Sequence, residues 1–361
     1  MIASPLRVIT SPLQRFLRST AVPDRRPGLQ RRMRVHGGGA TSAAGRPHSI
    51  VFRETGRGSL PTVVLGGFVP DATEAVHCQR PLLRRFGDLY LVNYPRAGFD
   101  RGALFGQLGQ LVRELERQGT PPVLFGISFG CGLLAELLDR DEATRRAAGL
   151  VWVSPVLSLE DLAGEGGTEH SLVGRFTAPL VAASAPQHVE AAVRNGRRFF
   201  SKLFSAGSQN RRAMARLRWR GQGEFLKRRI QETLQEITVE GARQRAALLP
   251  ARCPLRARGR PLYEGPALVL FAEREEAVLA ASAPARRELE RRLASLLPAG
   301  ELRAALRAGA DEAVQHASLI FHHHVYNPLL AEFYRGVRAA RRPTVASGWR
   351  AGLRRVSPWP L

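Results

Sequence analysis

A chain of 361 residues, 44% of them hydrophobic, is long enough for one large α/β domain or for a core carrying an inserted subdomain. Its formal charge of +23 raises the question of a nucleic-acid partner, yet Lys202 and Lys227 are the only lysines, and a nearly pure arginine set reads as compositional bias rather than a phosphate-binding surface. The sequence also lacks the aromatic-and-basic strand pattern of a nucleic-acid module, and no run approaches the roughly 18 apolar residues of a membrane span.

Residues 1–45 carry many arginines and one acid, Asp24. Apolar Leu6, Val8, Ile9, Leu13, Phe16 and Leu17 are interleaved with Arg7, Arg15 and Arg18. This is the composition of an organellar transit peptide, of a disordered leader, or of sequence upstream of a true start at Met33; it has no continuous apolar stretch of the secretory kind. A basic, disordered leader is the expectation. From Ser49 the pattern changes. Ser49–Phe52 reads as a short strand, and Thr62–Leu65 is a continuous apolar run ending in Gly66-Gly67-Phe68. Leu89–Tyr94 is the next such run, followed by Pro95-Arg96-Ala97-Gly98-Phe99. Runs buried on both faces are what a parallel sheet requires.

Residues 104–117 place Leu108, Leu111, Val112 and Leu115 on one helical face. Val123–Phe125 is a further buried strand, turning into a helix with Leu133, Leu134, Leu137 and Leu138 inward. Leu150–Val153 and Ala267–Phe271 continue the series, and Leu302–Leu306 completes it. The alternation predicts an α/β fold with a mostly parallel sheet. The gap between Val153 and Ala267 is too long for a structureless loop. Leu226, Ile230, Leu234 and Ile237 mark one helix in it, and Phe199, Phe200, Leu203 and Phe204 another. The expected organisation is therefore a core of residues 46–156 and 263–338, a helical lid insertion at 157–262, and a basic tail at 339–361. The last helix is expected to start with Asn327 as its N-cap and Pro328 in its first position.

Gly126-Ile127-Ser128-Phe129-Gly130 stands where the strand Val123–Phe125 passes into that helix. A Gly-x-Ser-x-Gly motif in strand–turn–helix context is a nucleophile elbow: the tight turn strains the serine, flanking side chains would clash, and the helix N-terminus favours developing negative charge. The alternative for Ser128 is a buried serine in a close-packed glycine turn.

Gly66-Gly67-Phe68, the Tyr94–Phe99 segment and the Gly126–Gly130 elbow together resemble the α/β-hydrolase superfamily, over residues 49–156 and 263–338. The stretch Gly126–Gly132 is similar to elbows of its thioesterase and esterase branches. The resemblance implies a serine hydrolase using the chain order nucleophile, acid, histidine, with no cofactor and no metal. Glu275, just after Ala267–Phe271, matches the acid position, with glutamate where aspartate is usual; Glu276 and Asp161 are the alternatives. His316 matches the loop that delivers the base, and His322, His323 and His324 read as a partly exposed polar run. Backbone N–H groups of Phe129 and Phe68 are the implied oxyanion-hole donors.

Cys78, Cys131 and Cys253 are widely spaced without a C-x-x-C, which suggests a reducing compartment, and a cytoplasmic location is expected. Cys131 is expected to be a small buried apolar residue. Arg211, Arg212, Arg216, Arg218 and Arg220 form a basic patch in the insertion. It reads as compositional bias, or as an attractor for an acidic carrier protein or a coenzyme A phosphate. The expected partner is a small-molecule acyl substrate. Three functions remain open at this stage: a carboxylic ester or thioester hydrolase, an acyltransferase with the same triad, and a non-catalytic binding protein on a degenerate hydrolase scaffold. The insertion is expected to cover Ser128, with Phe199, Phe200, Leu203 and Phe204 bordering the pocket. Its replacement by a short linker is expected to change acyl-chain selectivity more than reactivity.

Overall fold

The structure, a computed structural model, describes residues 49–341 apart from 168, 183, 218–220, 308 and 310. The leader 1–45 and the tail beyond Arg341 lie outside the described residues. Among the described residues seven strands form one sheet: β1 (Ile50–Glu54), β2 (Thr62–Leu65), β3 (Leu89–Asn93), β4 (Val123–Ile127), β5 (Gly149–Val153), β6 (Ala267–Ala272) and β7 (Gly300–Ala305). Their order is β1-β3-β2-β4-β5-β6-β7. Only the edge strand β1 runs antiparallel to its neighbour; the other pairings are parallel. Strands β2 to β6 are buried along their whole length, as continuous apolar runs demand.

Successive residues of each strand serve opposite faces. Leu65, Leu124, Trp152 and Val269 pack on one face against the helices α1 (Arg101–Arg117), α2 (Phe129–Arg140) and, through Leu289, α7 (Pro284–Leu296). Val64, Phe125, Val151 and Leu268 pack on the other, against Tyr326, Leu330, Tyr334 and Val337 of α8 (His323–Ala340).

Between β5 and β6 lie α3 (Leu172–Val181), α4 (Pro186–Gln209), α5 (Gln222–Glu236) and α6 (Val239–Ala246). Hydroxyl caps start two of them: Ser171 Oγ accepts from Gly174 N at 3.0 Å, and Thr238 Oγ1 from Gly241 N at 3.0 Å. The insertion is not separately cored at its far end. Leu248, Leu249, Cys253, Leu255 and Leu262 are buried in the main core with the strand residues.

The start of α8 departs from expectation. The helix begins at His323, so Asn327 is no cap and Pro328 lies inside it. An interior proline forfeits a main-chain hydrogen bond, and tertiary anchors offset that loss. Tyr326 is fully buried, and the Asn327 side chain binds Gln79 Nε2 at 3.0 Å and the Cys78 carbonyl at 3.4 Å. No helix among the described residues is long and apolar enough to cross a membrane. Cys78, Cys131 and Cys253 are buried; burial raises the Cys131 thiol well above its ordinary pKa.

Candidate active site

Parallel strands end at a common edge, and the candidate residues follow those ends. Ser128 comes after β4, Gly67-Phe68 after β2, Glu275 after β6 and His316 after β7. Ligands of open α/β sheets bind at this carboxyl edge.

Ser128 has φ 50° and ψ −114°, a left-handed backbone that a non-glycine residue adopts only under strain. Close packing enforces it. A Cβ on Gly126 would stand 2.9 Å from Cys131 Cα, and one on Gly130 would stand 2.4 Å from the Leu65 carbonyl oxygen. The elbow is fastened to β5, since Ser128 N donates to Val153 O at 2.8 Å. Ser128 is also the residue from which α2 departs, so the helix dipole is directed at its side chain.

Ser128 Oγ lies 2.9 Å from His316 Nε2, and His316 Nδ1 is hydrogen-bonded to Glu275 Oε2. A carboxylate can only accept here, so Nδ1 carries the proton and Nε2 is free to accept from the serine hydroxyl. The second oxygen of Glu275 accepts from Ala272 N at 2.6 Å, which orients a carboxyl that is 3% exposed. A parallel bridge between Arg274 and Gln315, with Arg274 N donating to Val314 O at 2.9 Å, binds the two loops together.

The alternatives for the acid stand elsewhere. Glu276 is exposed and pairs with Arg274 at 3.1 Å. Asp161 is buried, and its oxygens accept from Leu157 N, Ser158 N, Ser158 Oγ and Ala285 N, which ties the start of the insertion to α7. His322 is buried with Nδ1 2.9 Å from Ser318 Oγ. His323 donates from Nδ1 to Ile320 O at 3.0 Å, and His324 Nε2 lies 3.1 Å from Asp311 Oδ2. Burial lowers the pKa of His322 and of His324. No group of three or more metal-ligating side chains converges among the described residues.

Phe68 and Phe129, the expected oxyanion donors, pack their rings edge to face with centroids 5.7 Å apart. This loop stands beside Ser128: a Cβ on Gly67 would lie 3.7 Å from Ser128 Cβ, an ordinary contact distance. Among the described residues, neither the Phe68 nor the Phe129 N–H donates to another protein group.

Ser128, His316, Phe68 and Phe129 open on a cavity of about 440 Å³. Phe176 and Leu180 of α3 and Phe200, Leu203 and Phe204 of α4 line its far side. Phe199 does not, contrary to expectation. It sits one position round the helix, with its ring 5.5 Å from that of Phe176, in the packing between α3 and α4. In the basic patch, Arg212 and Arg216 lie 3.6 Å and 2.8 Å from Asp311, while Arg218 and Arg220 are outside the described residues.

Two site residues escaped sequence reasoning. Ser154, at the end of β5, is buried with φ 48°, and its Oγ accepts from Ala317 N at 3.0 Å, beside the histidine. Arg245 of α6 is fully buried and reaches the loops after β2 and β3. Burial lowers its pKa to about 10. No motif marks either residue; a serine and an arginine in an arginine-rich chain carry no local signal.

The sheet order, the strained serine at a strand-to-helix turn and the helical excursion after β5 define the α/β-hydrolase fold, and this chain has it. Solved structures agree. The chain is similar to an esterase from Thermogutta terrifontis, at 16% identity and a TM-score of 0.53, covering 80% of this chain and 93% of that one. An esterase of a Rhodococcus species matches at 19% identity and a TM-score of 0.53, over 82% of this chain and 98% of that one. A bromoperoxidase from Bacillus anthracis has 16% identity and a TM-score of 0.53, over 79% and 95% of the two chains. No protein-family model matches the sequence, and no curated protein matches it in a sequence search.

Proposed function

We propose that this protein is a serine hydrolase of carboxylic esters or thioesters, working through an acyl-enzyme on Ser128. The observation that carries the reading is the unbroken chain Ser128 Oγ–His316 Nε2, His316 Nδ1–Glu275, at the mouth of an apolar cavity. In this reading Ser128 Oγ attacks the carbonyl carbon as its proton passes to His316 Nε2. Glu275 stabilises the imidazolium without taking the proton. The oxyanion is received by the N–H groups of Phe129 and Phe68, in a site where fixed dipoles act with little screening. His316 then gives its proton to the departing alkoxide or thiolate as the C–O or C–S bond breaks. Water repeats the sequence to release the acid and restore Ser128. Residues 157–262 are the lid of this site in the same reading, with Phe200, Leu203 and Phe204 receiving the acyl chain.

The test pairs a fluorophosphonate probe with hydrolysis of p-nitrophenyl esters. Wild-type protein is expected to be labelled at Ser128 and to turn over the esters. Ser128→Ala is expected to lose labelling and about a thousandfold or more in kcat. Its Tm should stay within a few degrees of wild type, because the hydroxyl contributes little packing. Turnover by the variant at the wild-type rate would overturn the proposal.

A further inference from the structure

Arg245 presents a physical problem. Its side chain is fully buried, and among the described residues it hydrogen-bonds to no carboxylate. Asp71 attracts it, but that carboxylate is hydrogen-bonded to Arg96, and burying a cation whose own hydrogen bonds reach only neutral groups is unfavourable. Its acceptors are three main-chain carbonyls: Phe68 O at 2.9 Å, Pro95 O at 2.8 Å and Tyr94 O at 3.3 Å. They belong to the loops after β2 and β3, whereas Arg245 itself stands on α6 of the insertion. Its Nε finds no acceptor among the described residues. An arrangement that costs stability in this way calls for a return in geometry.

We propose that Arg245 is a positioning residue for the oxyanion site, which makes α6 of the insertion part of the catalytic geometry. The inference rests on the serine hydrolase reading given above. The loop to be held is Gly66-Gly67-Phe68. Two consecutive glycines leave the main chain free over a wide range of φ and ψ, so Phe68 has to be located from outside. Tyr94 Oη fixes one end, donating to Gly66 O at 3.0 Å. Arg245 fixes the other by holding the carbonyl of the residue whose N–H is the proposed donor. Its guanidinium carbon also stands 5.9 Å from the Phe68 ring centroid and 5.5 Å from that of Tyr94. The base of this strut is rigid. Thr238 N donates to Arg96 O at 3.1 Å, and Gly241 packs so closely that a Cβ there would lie 2.0 Å from the same oxygen. Arginine suits the task because a planar fork addresses several carbonyls at fixed angles, and an ammonium group cannot.

The experiment uses the full-length protein with Arg245→Lys and Arg245→Met. Steady-state kinetics on p-nitrophenyl butyrate are measured beside inhibition by butylboronic acid, whose serine adduct places an anionic oxygen in the oxyanion site. Hydrogen exchange of the 66–69 amides is followed as well. Both variants are expected to lose about 10- to 100-fold in kcat, with KM changed less than about threefold. Boronate affinity should fall in parallel, and the 66–69 amides should exchange faster than in wild type. Unchanged kcat and boronate affinity in folded variants would overturn the proposal. So would a loss confined to KM, which would mark Arg245 as a pocket residue. Should Arg245→Met fail to fold, Arg245→Lys decides, because it keeps the buried charge and the stem; failure of both to fold leaves Arg245 a purely structural residue and ends the proposal. Failure of the underlying reading looks different. In that case wild-type protein itself reacts with neither fluorophosphonate nor ester.

Discussion

Ser128, His316 and Glu275 come from three separate loops, and each is held by contacts outside the hydrogen-bonded chain that joins them. Gly126 and Gly130 force the turn at Ser128, Ala272 N orients Glu275, and Ser154 Oγ steadies the segment after His316. His316 is therefore expected to be irreplaceable. His316→Ala should lose at least about a thousandfold in kcat toward p-nitrophenyl esters. His323→Ala and His324→Ala should stay within about threefold of wild type, since their ring nitrogens engage Ile320 O and the Asp311–Arg216 pair. His322 borders the cavity, so His322→Ala should move KM rather than kcat. Steady-state kinetics on the four single variants checks this; an essential His323 or His324 beside a dispensable His316 would sink the assignment.

Short elements around the site carry buried charge, and one of them makes stability depend on pH. The single helical turn Ala72–Ala75 packs under α5, and Glu74 in it is 2% exposed. Thr73 Oγ1 donates to its carboxyl at 2.9 Å, and Arg229 Nε stands 4.0 Å away. Burial first, and then the neighbouring Asp71, raise its pKa from 4.5 to about 7, against the pull of Thr73, Arg229 and Arg80. Between those pH values the folded protein keeps a proton that the unfolded chain has released. The number bound is then larger in the native state, so stability falls as pH rises from about 4.5 to 7 and levels off above. Over that window Glu74 should cost the wild type up to about 3 kcal/mol. Glu74→Gln should remove the slope and leave the variant more stable than wild type at pH 8. Urea unfolding of both proteins across pH 4.5 to 8 is the measurement, and parallel profiles would refute the shift.

At the scale of the molecule, the insertion and the core cannot be separated where the sequence suggests. Leu248, Leu249, Cys253, Leu255 and Leu262 fall within 157–262, yet they are buried among the strand residues of the main core. At about 1.5–3 kcal/mol for each buried apolar side chain, their removal would take away on the order of 10 kcal/mol, as much as a typical domain possesses. Replacing 157–262 by a linker is thus expected to abolish folding, seen as loss of a cooperative thermal transition, rather than to yield an enzyme of altered selectivity. Substitutions inside the cavity are the workable alternative. Phe200→Ala and Leu203→Trp should fold and shift chain-length preference toward longer and shorter acyl groups respectively, with kcat on p-nitrophenyl acetate nearly unchanged. A linker variant that folds cooperatively would contradict the packing argument.

What local sequence settles here is whatever depends on neighbours in the chain. The mostly apolar runs at 62–65, 89–94, 123–125, 150–153 and 267–271 are legible as buried parallel strands because both faces of such strands must be covered. The elbow is legible because close approach of backbone to backbone leaves glycine as the only fit at 126 and 130. Glu275 and His316 were singled out by their place after a strand end, matched to the superfamily that the sequence resembles, a local measure. Tertiary structure decided the rest. Glu275 rather than Glu276 or Asp161 faces the histidine because of the Arg274–Gln315 bridge and the partners of Asp161, contacts between segments far apart in the chain. The early start of α8 follows from the burial of Tyr326 and the anchoring of Asn327, which override a proline signal that sequence reads as a helix start. Phe199 turned away from the cavity because helical phase selects a face, while only packing against α3 decides which face meets the pocket. Arg245 and Ser154 left no trace in the sequence for the same reason: each acts on a loop that the chain reaches at least 150 residues away, and only folding brings them into contact.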